Sequence, residues 1–275
     1  MWKVIRATAV GTSHVDSNLP CQDDCYADVM HITDELDYLV CLVSDGAGSA
    51  KKGGKGAELA CVTARSSIEA TLGNLGSSSL DETLVEEWIK DIRRVIYEMA
   101  NANALTARDY ACTLLGAVVS PNKAVFFQIG DGAIVASSGY AQGVVFWPDS
   151  GLYANMTNFV TEEDALANLH ISVTSARIDE VALFSDGLQL LALSFEQRTP
   201  HIPFFEPMLN VLRRQKPVEC EALVSVYTST NGANWWDKTG WLATNTPCEW
   251  YGVACNNGHV QSLICLLYTS DAADE

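Results

Sequence analysis

Three apolar runs in this chain stop at an aspartate followed by glycine: "YLVCLVSDGAGSAKKGG" from Tyr38, "FFQIGDGAIV" from Phe126 and "EVALFSDGLQLLAL" from Glu180. A carboxylate at the end of a strand is carried by a rigid element while it faces the rim of a sheet. The glycine beside it lets the backbone turn and bares its carbonyl oxygen. Several such corners brought together make an oxygen-rich, negative pocket that suits hard divalent cations, Mg2+ or Mn2+. Two such cations about 3.5–4 Å apart can activate a water and clamp a phosphoryl group. Each corner alone reads as a plain turn, because Asp-Gly is a common turn dipeptide. Three of them, each ending a hydrophobic strand, favour a metal centre that uses Asp45, Asp131 and Asp186.

Other chemistries find less support. "GSAKKGGKG" suggests a phosphate loop, but Lys55 is followed by Gly56 where the Gly-x4-Gly-Lys-Ser/Thr pattern needs a hydroxyl. The alternating acids of an EF-hand loop are missing around Asp45. Cys21 and Cys25 are spaced C-x3-C without a second ligand pair at zinc spacing, and read as free thiols. Cys41, Cys61 and Cys112 lie in apolar or helical stretches and read as small buried hydrophobes. No local pattern supports a Cys/His nucleophile.

The elements that must carry the corners can be traced by periodicity. Strands are expected at Trp2–Thr12, Cys25–Ile32, Leu39–Ser44, Ala111–Val119, Lys123–Ile129, Ala133–Ser137, Gly143–Trp147, Ile171–Thr174 and Glu180–Ser185. Helices are expected at Gly56–Leu72 and over the run Leu84, Val85, Trp88, Ile89, Ile92, Val95, Ile96 and Met99, the second opened by a capping box of Ser79 and Glu82. Shorter helices are expected at Leu188–Leu193 and Phe204–Arg214. Tight turns such as "SPNK" join neighbouring strands, which calls for antiparallel hairpins rather than βαβ crossovers. The result is an α+β layering of sheets covered by helices.

The 275 residues are 48% hydrophobic and 19% charged, with a formal net charge of −17. This suits a globular chain of one large domain and a small appendage. The acidity argues against nucleic acid as a partner, since phosphate binding wants a basic face. It agrees with either solubility or cation binding. No apolar run reaches membrane-spanning length. The start, "MWKVIRATAV", lacks a signal-peptide layout, and a cytoplasmic location is expected.

Read in order, "GTSHVDSNLPCQDDCYAD", "VSDGAGSAKKGGKGAELA", "CTLLGAVVS", "QIGDGAIV" and "LFSDGLQLL" resemble the motif set of bacterial PP2C-type (PPM) metal-dependent serine/threonine phosphatases, over roughly residues 1–216. The resemblance implies a four-layer α/β/β/α sandwich of antiparallel sheets and hydrolysis of phosphoserine and phosphothreonine in proteins by metal-activated water. Two Mn2+ or Mg2+ ions are implied, with a third, weaker position. Carried over residue by residue, Asp45 would bridge the two cations and Gly46 would offer its carbonyl. Asp186 would bind the second cation, and Asp131 would support the third. Asp23 would hold or orient water at the cations, with Asp24 a competitor for that role. Asn18 stands about where many relatives carry a phosphate-binding arginine. His14 is the nearest substitute, or else a solvated turn residue. The family's closing segment, with a further metal-ligand aspartate, has no counterpart after "FFEPMLNVLRRQKP". One ligand and one edge strand would then be missing. The alternative that follows is an inactive or weakly active phosphatase-like binding module in a truncated or chimeric chain.

Residues 217–267 resemble instead the N-terminal cap of leucine-rich-repeat proteins, with Trp235, Trp236, Trp241 and Trp250 near Cys248 and Cys255, and "HVQSLICL" as a first repeat strand. That resemblance implies a Cys248–Cys255 disulfide and a protein partner for this portion. The last residues, 268–275, fit neither family and are expected to be a tail outside any domain; the chain reads as a truncated or chimeric product, with a natural fusion of a phosphatase to a leucine-rich-repeat arm as the alternative.

Overall fold

The computed structural model describes residues 2–8, 10, 20–33, 36–74, 80–139, 141–148, 157–213, 219–235, 238–243, 247–256 and 259–264. His14, Asn18, Ser79 and the tail 268–275 lie outside these residues, as does the side chain of Cys255. Two compact units are formed, one from Gln22–Gln189 and one from Met1–Cys21 with Leu190–Glu275.

In the first unit, β2 (Asp23–Thr33) and β3 (Leu36–Asp45) form a long hairpin. Two helices follow, α1 (Gly53–Asn74) and α2 (Glu82–Ala102), then β4 (Leu114–Val119) and β5 (Ala124–Ile129). These strands and β8 (His170–Thr174) make a five-stranded antiparallel sheet in the order β2-β3-β4-β5-β8. The remaining strands, β6 (Ala133–Ser138), β7 (Ala141–Val144) and β9 (Glu180–Phe184), make a second antiparallel sheet in the order β7-β6-β9. The sheets meet where β9 packs against β3 and β4.

Helix α2 forms for reasons visible in its sequence. Asp81 is its N-cap, in extended conformation, and its carboxylate accepts from the Leu84 N–H at 3.1 Å. Val85, Trp88, Ile89, Ile92, Ile96 and Ala100 recur at helical spacing and are all buried. The cap is therefore Asp81, two residues beyond the serine expected to start a capping box. Asp81 serves because its short carboxylate reaches the amide three residues on.

The buried face of α2 joins Ile68 and Leu72 of α1 and Tyr38, Val40, Leu42, Leu114 and Phe127 of the large sheet in one core. Trp88 is its largest fully buried side chain, tilted against Phe127 at 6.0 Å between ring centroids, and its Nε1 donates to Thr71 Oγ1 at 3.0 Å. Every residue of β4 and β5 is buried, because helices cover one face of these central strands and the second sheet the other. Each buried Val, Leu, Ile or Phe among them contributes about 1.5–3 kcal/mol of transfer free energy.

The second unit holds β1 (Ala7–Thr8), β10 (Leu193–Ser194), β11 (Thr199–Pro200), β12 (Val253–Asn256) and β13 (His259–Ile264). It also holds α4 (Ile202–Arg213) and α5 (Glu219–Ser229); the four-residue α3 (Gln189–Ala192) begins at the junction. Within the expected strand Trp2–Thr12, the described residues form strand at Ala7 and Thr8, which pair in parallel with Leu263 and Ile264 of β13. The first strand thus has a partner, supplied by the expected first repeat strand. Helix α5 was not apparent from periodicity. It packs with Trp235, Trp241 and Trp250 through Leu223 and Val226. Tyr227 stacks on Trp241 at 5.4 Å, and Trp241 Nε1 donates to the Tyr251 carbonyl at 2.8 Å.

Candidate metal centre

The register of the β2–β3 hairpin places Asp23 directly opposite Asp45. Side chains of opposed residues in an antiparallel pair share one face, so two carboxylates meet there. Asp186 opens the turn after β9 and brings a third. Hydrogen bonds connect Asp45 with both Asp23 and Asp186. Burial first, then the negative charge of these two neighbours, pushes the Asp45 carboxyl up to about 10, so one proton stays in the cluster at neutral pH. Ser185 Oγ donates to Asp23 Oδ2 at 3.4 Å, tying the end of β9 to the start of β2.

The backbone of Asp45 is held on both sides by Thr113. Its N–H donates to Thr113 Oγ1 at 3.0 Å, and its carbonyl accepts from the Thr113 N–H at 2.8 Å. Gly46 follows, its N–H donating to the Gln22 carbonyl at 3.1 Å. A Cβ on Gly46 would lie 2.2 Å from the carbonyl carbon of Gly53, at the start of α1, so only glycine lets the two backbones approach this closely.

Asp131 sits in the turn between β5 and β6, where its Oδ2 accepts from Thr157 Oγ1 at 2.6 Å. Asp24 pairs with Ser44, and its charge acts on the Cys61 thiol, while its carbonyl accepts from Cys61 Sγ at 3.5 Å. Of the two neighbours, Asp23 is therefore the one beside Asp45. Thr113, Thr157, Ser185, Gln128 and Gln189 were not singled out from sequence. Thr113, Gln128, Ser185 and Gln189 lie inside the quoted motifs, whereas Thr157 lies in none.

Among the described residues, no group of three or more His, Cys, Asp or Glu side chains stands in a metal-holding arrangement. The donor chemistry nevertheless fits a hard cation. Asp23 and Asp186 converge on Asp45 and every donor is oxygen; burial and the negative charge of the two neighbours raise the Asp45 carboxyl, a crowding that a divalent ion would offset.

Cys21, Cys25, Cys41, Cys61 and Cys112 are not joined in disulfides. Burial pushes the thiols of Cys41 and Cys112 up to about 12, which makes them inert at neutral pH. Cys248 is disulfide-bonded. No helix among the described residues is long and apolar enough to cross a membrane.

Two antiparallel sheets, a helix pair on one of them and a carboxylate cluster at strand ends define a class that comparison with known proteins makes specific. The family described as protein phosphatase 2C matches residues 10–225. Serine/threonine-protein phosphatase 3 of Escherichia coli (strain K12) is 39% identical over 211 residues, covering 77% of this chain and 83% of that protein. A crystal structure of a bacterial serine phosphatase has a TM-score of 0.51 at 15% identity, covering 77% of this chain and 86% of that one, and so shares its fold. The chain belongs to the protein phosphatase 2C family.

Proposed function

We propose that this chain removes phosphate from phosphoserine and phosphothreonine in proteins. The observation that carries the reading is the Asp23–Asp45 pair with Asp186 beside it, found in a member of the protein phosphatase 2C family. The 39%-identical relative is named as a serine/threonine-protein phosphatase, which supports the same substrate class.

Asp45, the Gly46 carbonyl and Asp186 would hold two Mn2+ or Mg2+ ions, with Asp131 at a third, weaker position. When bound, such ions supply a water nucleophile at neutral pH and offset the charge of the phosphoryl group. The chain's own part is positional. Thr113 fixes the backbone of Asp45, and the close contact of Gly46 with Gly53 fixes the direction of its carbonyl. Ser185 orients the Asp23 carboxylate, which would orient the attacking water. Asp45 must give up its proton when cations arrive. His14 is proposed as a phosphate-binding residue.

For the fold we propose the family's four-layer α/β/β/α sandwich, a reading supported by the helix pair and two sheets within residues 22–189. Residues 217–267 are proposed as a partial leucine-rich-repeat cap with a protein partner. Support comes from the buried Trp235, Trp241 and Trp250 and from the disulfide at Cys248, for which Cys255 is the proposed partner. For location we propose the cytoplasm, a reading supported by Cys41, Cys61 and Cys112, which are not joined in disulfides.

The test is phosphate release from a phosphothreonine peptide with Mn2+ and with EDTA. Turnover with Mn2+ that EDTA abolishes is expected, with Asp45→Asn inactive. Absence of turnover at any Mn2+ concentration, in a folded preparation that binds the ion, would favour a binding module instead.

A further inference from the structure

Three successive carbonyls of the turn that presents Asp131 are gripped by two side-chain amides. Gln128 Nε2 donates to the carbonyls of Gly130 at 3.0 Å and Gly132 at 2.8 Å. Between them, the carbonyl of Asp131 accepts from Gln189 Nε2. Gln128 is 2% exposed, and its Oε1 is buried with no hydrogen-bond partner among the described residues. Turning the amide over would aim its oxygen at two carbonyls, so the orientation is dictated by the turn. A buried acceptor left unsatisfied is costly. The glutamine therefore sits there at a local disadvantage, offset by the two bonds that clamp the turn. Gly130 adds to the constraint: its φ is +114°, and a Cβ would lie 2.6 Å from Cβ of Thr113.

The carboxylate itself is aimed by Thr157, whose own segment is anchored three residues on. Arg93 of α2 donates through Nη1 to the carbonyls of Val160 and Glu162, and Tyr97 Oη donates to the Thr161 carbonyl at 3.0 Å. The Arg93 guanidinium also lies 5.5 Å from the Tyr97 ring centroid. A rigid helix thus fixes the strip that carries Thr157, and Thr157 fixes Asp131.

We propose that Gln128, Gln189 and Thr157 are positioning residues that hold Asp131 in the orientation in which it receives a divalent cation, with Arg93 and Tyr97 anchoring Thr157. The proposal rests on the reading of Asp131 as a ligand of the weaker cation. Groups that hydrogen-bond a ligand set its orientation, and their loss costs about 10–100-fold in metal affinity.

The experiment is Mn2+ binding to the full chain, followed by electron paramagnetic resonance of the free ion, with urea midpoints recorded in parallel. Asp131→Asn is the reference and should weaken the weakest class of Mn2+ sites. Thr157→Val, Gln189→Met and Gln128→Met should each weaken that same class by ~10-fold, leaving tighter sites unchanged. Thr157→Ser, which keeps the hydroxyl, should bind Mn2+ as the native chain does. If Asp131→Asn leaves every class of site unchanged, the reading of Asp131 fails and the proposal with it. If Asp131→Asn weakens binding while Thr157→Val and Gln189→Met, at native urea midpoints, do not, the positioning roles are overturned and the reading of Asp131 stands. Should Gln128→Met not fold, the other two variants decide.

Discussion

Thr113 brackets Asp45, accepting from its N–H through Oγ1 at 3.0 Å and donating to its carbonyl at 2.8 Å. The carbonyl of Thr113 in turn accepts from Ser44 Oγ at 2.6 Å, and its Cβ is what blocks a side chain at Gly130. One residue at the entrance to β4 therefore supports the corner at Asp45 and the turn before Asp131. Thr113 is 3% exposed. Thr113→Val keeps the shape but strands the Asp45 N–H, and a loss of about 1–3 kcal/mol is expected in urea unfolding. Thr113→Ser, which keeps the hydroxyl, should lose less. Equal stability of Thr113→Val and the native chain would show that the bracket contributes nothing.

The raised carboxyl of Asp45 makes the cation-free protein pH-sensitive. Between its ordinary value of 3.8 and about 10, the folded chain holds a proton that the unfolded chain has released. The stabilisation from this group is complete below 3.8 and is lost as pH rises toward 10, with a slope of up to ~1.4 kcal/mol per pH unit. Urea midpoints in EDTA should fall from pH 6 to pH 9, and Asp45→Asn should flatten that fall and be the more stable protein at the upper end. A native chain whose midpoint does not change over this range would refute the shift.

Cation binding must displace the same proton. Calorimetry of Mn2+ binding in buffers of different ionisation enthalpy should register proton release near neutral pH, with affinity rising as pH rises. Release should vanish in Asp45→Asn. Binding without proton release in the native chain would place the cation away from Asp45.

Gly46 and Gly48 differ sharply in what surrounds them. A methyl group on Gly46 would lie 2.2 Å from the Gly53 carbonyl carbon, whereas one on Gly48 would meet nothing nearer than Gln22 Oε1 at 4.0 Å. Gly46→Ala should cost about 1–3 kcal/mol or more, because backbone on both sides has to move. Gly48→Ala should stay within about 0.5 kcal/mol of the native chain. Comparable urea midpoints for the two variants would contradict the close backbone contact.

For the C-terminal portion, the proposed Cys248–Cys255 pairing predicts one linked peptide by mass spectrometry after proteolysis without reductant. Cys248 linked to Cys220 or Cys265 instead would reject that pairing while agreeing with a bonded Cys248.

The elements around the site were legible in sequence for local reasons. An apolar run ending in Asp-Gly marks a strand and its corner, and the spacing of Val85, Trp88, Ile89, Ile92 and Ile96 marks the buried stripe of a helix. The motif set also carried the family. Tertiary structure decided which corners meet. Asp23 faces Asp45 because the β2–β3 register says so, and a slip of one residue would send Asp24 there instead. Asp186 arrives from the end of a strand of the other sheet, more than a hundred residues on. The partners of these aspartates share the same difficulty. Thr113 lies 68 residues from Asp45, and Gln189 lies 58 residues from Asp131. Both lie inside quoted motifs, "CTLLGAVVS" and "LFSDGLQLL", yet nothing in those motifs names the distant backbone group that each one meets, because only the fold sets that pairing.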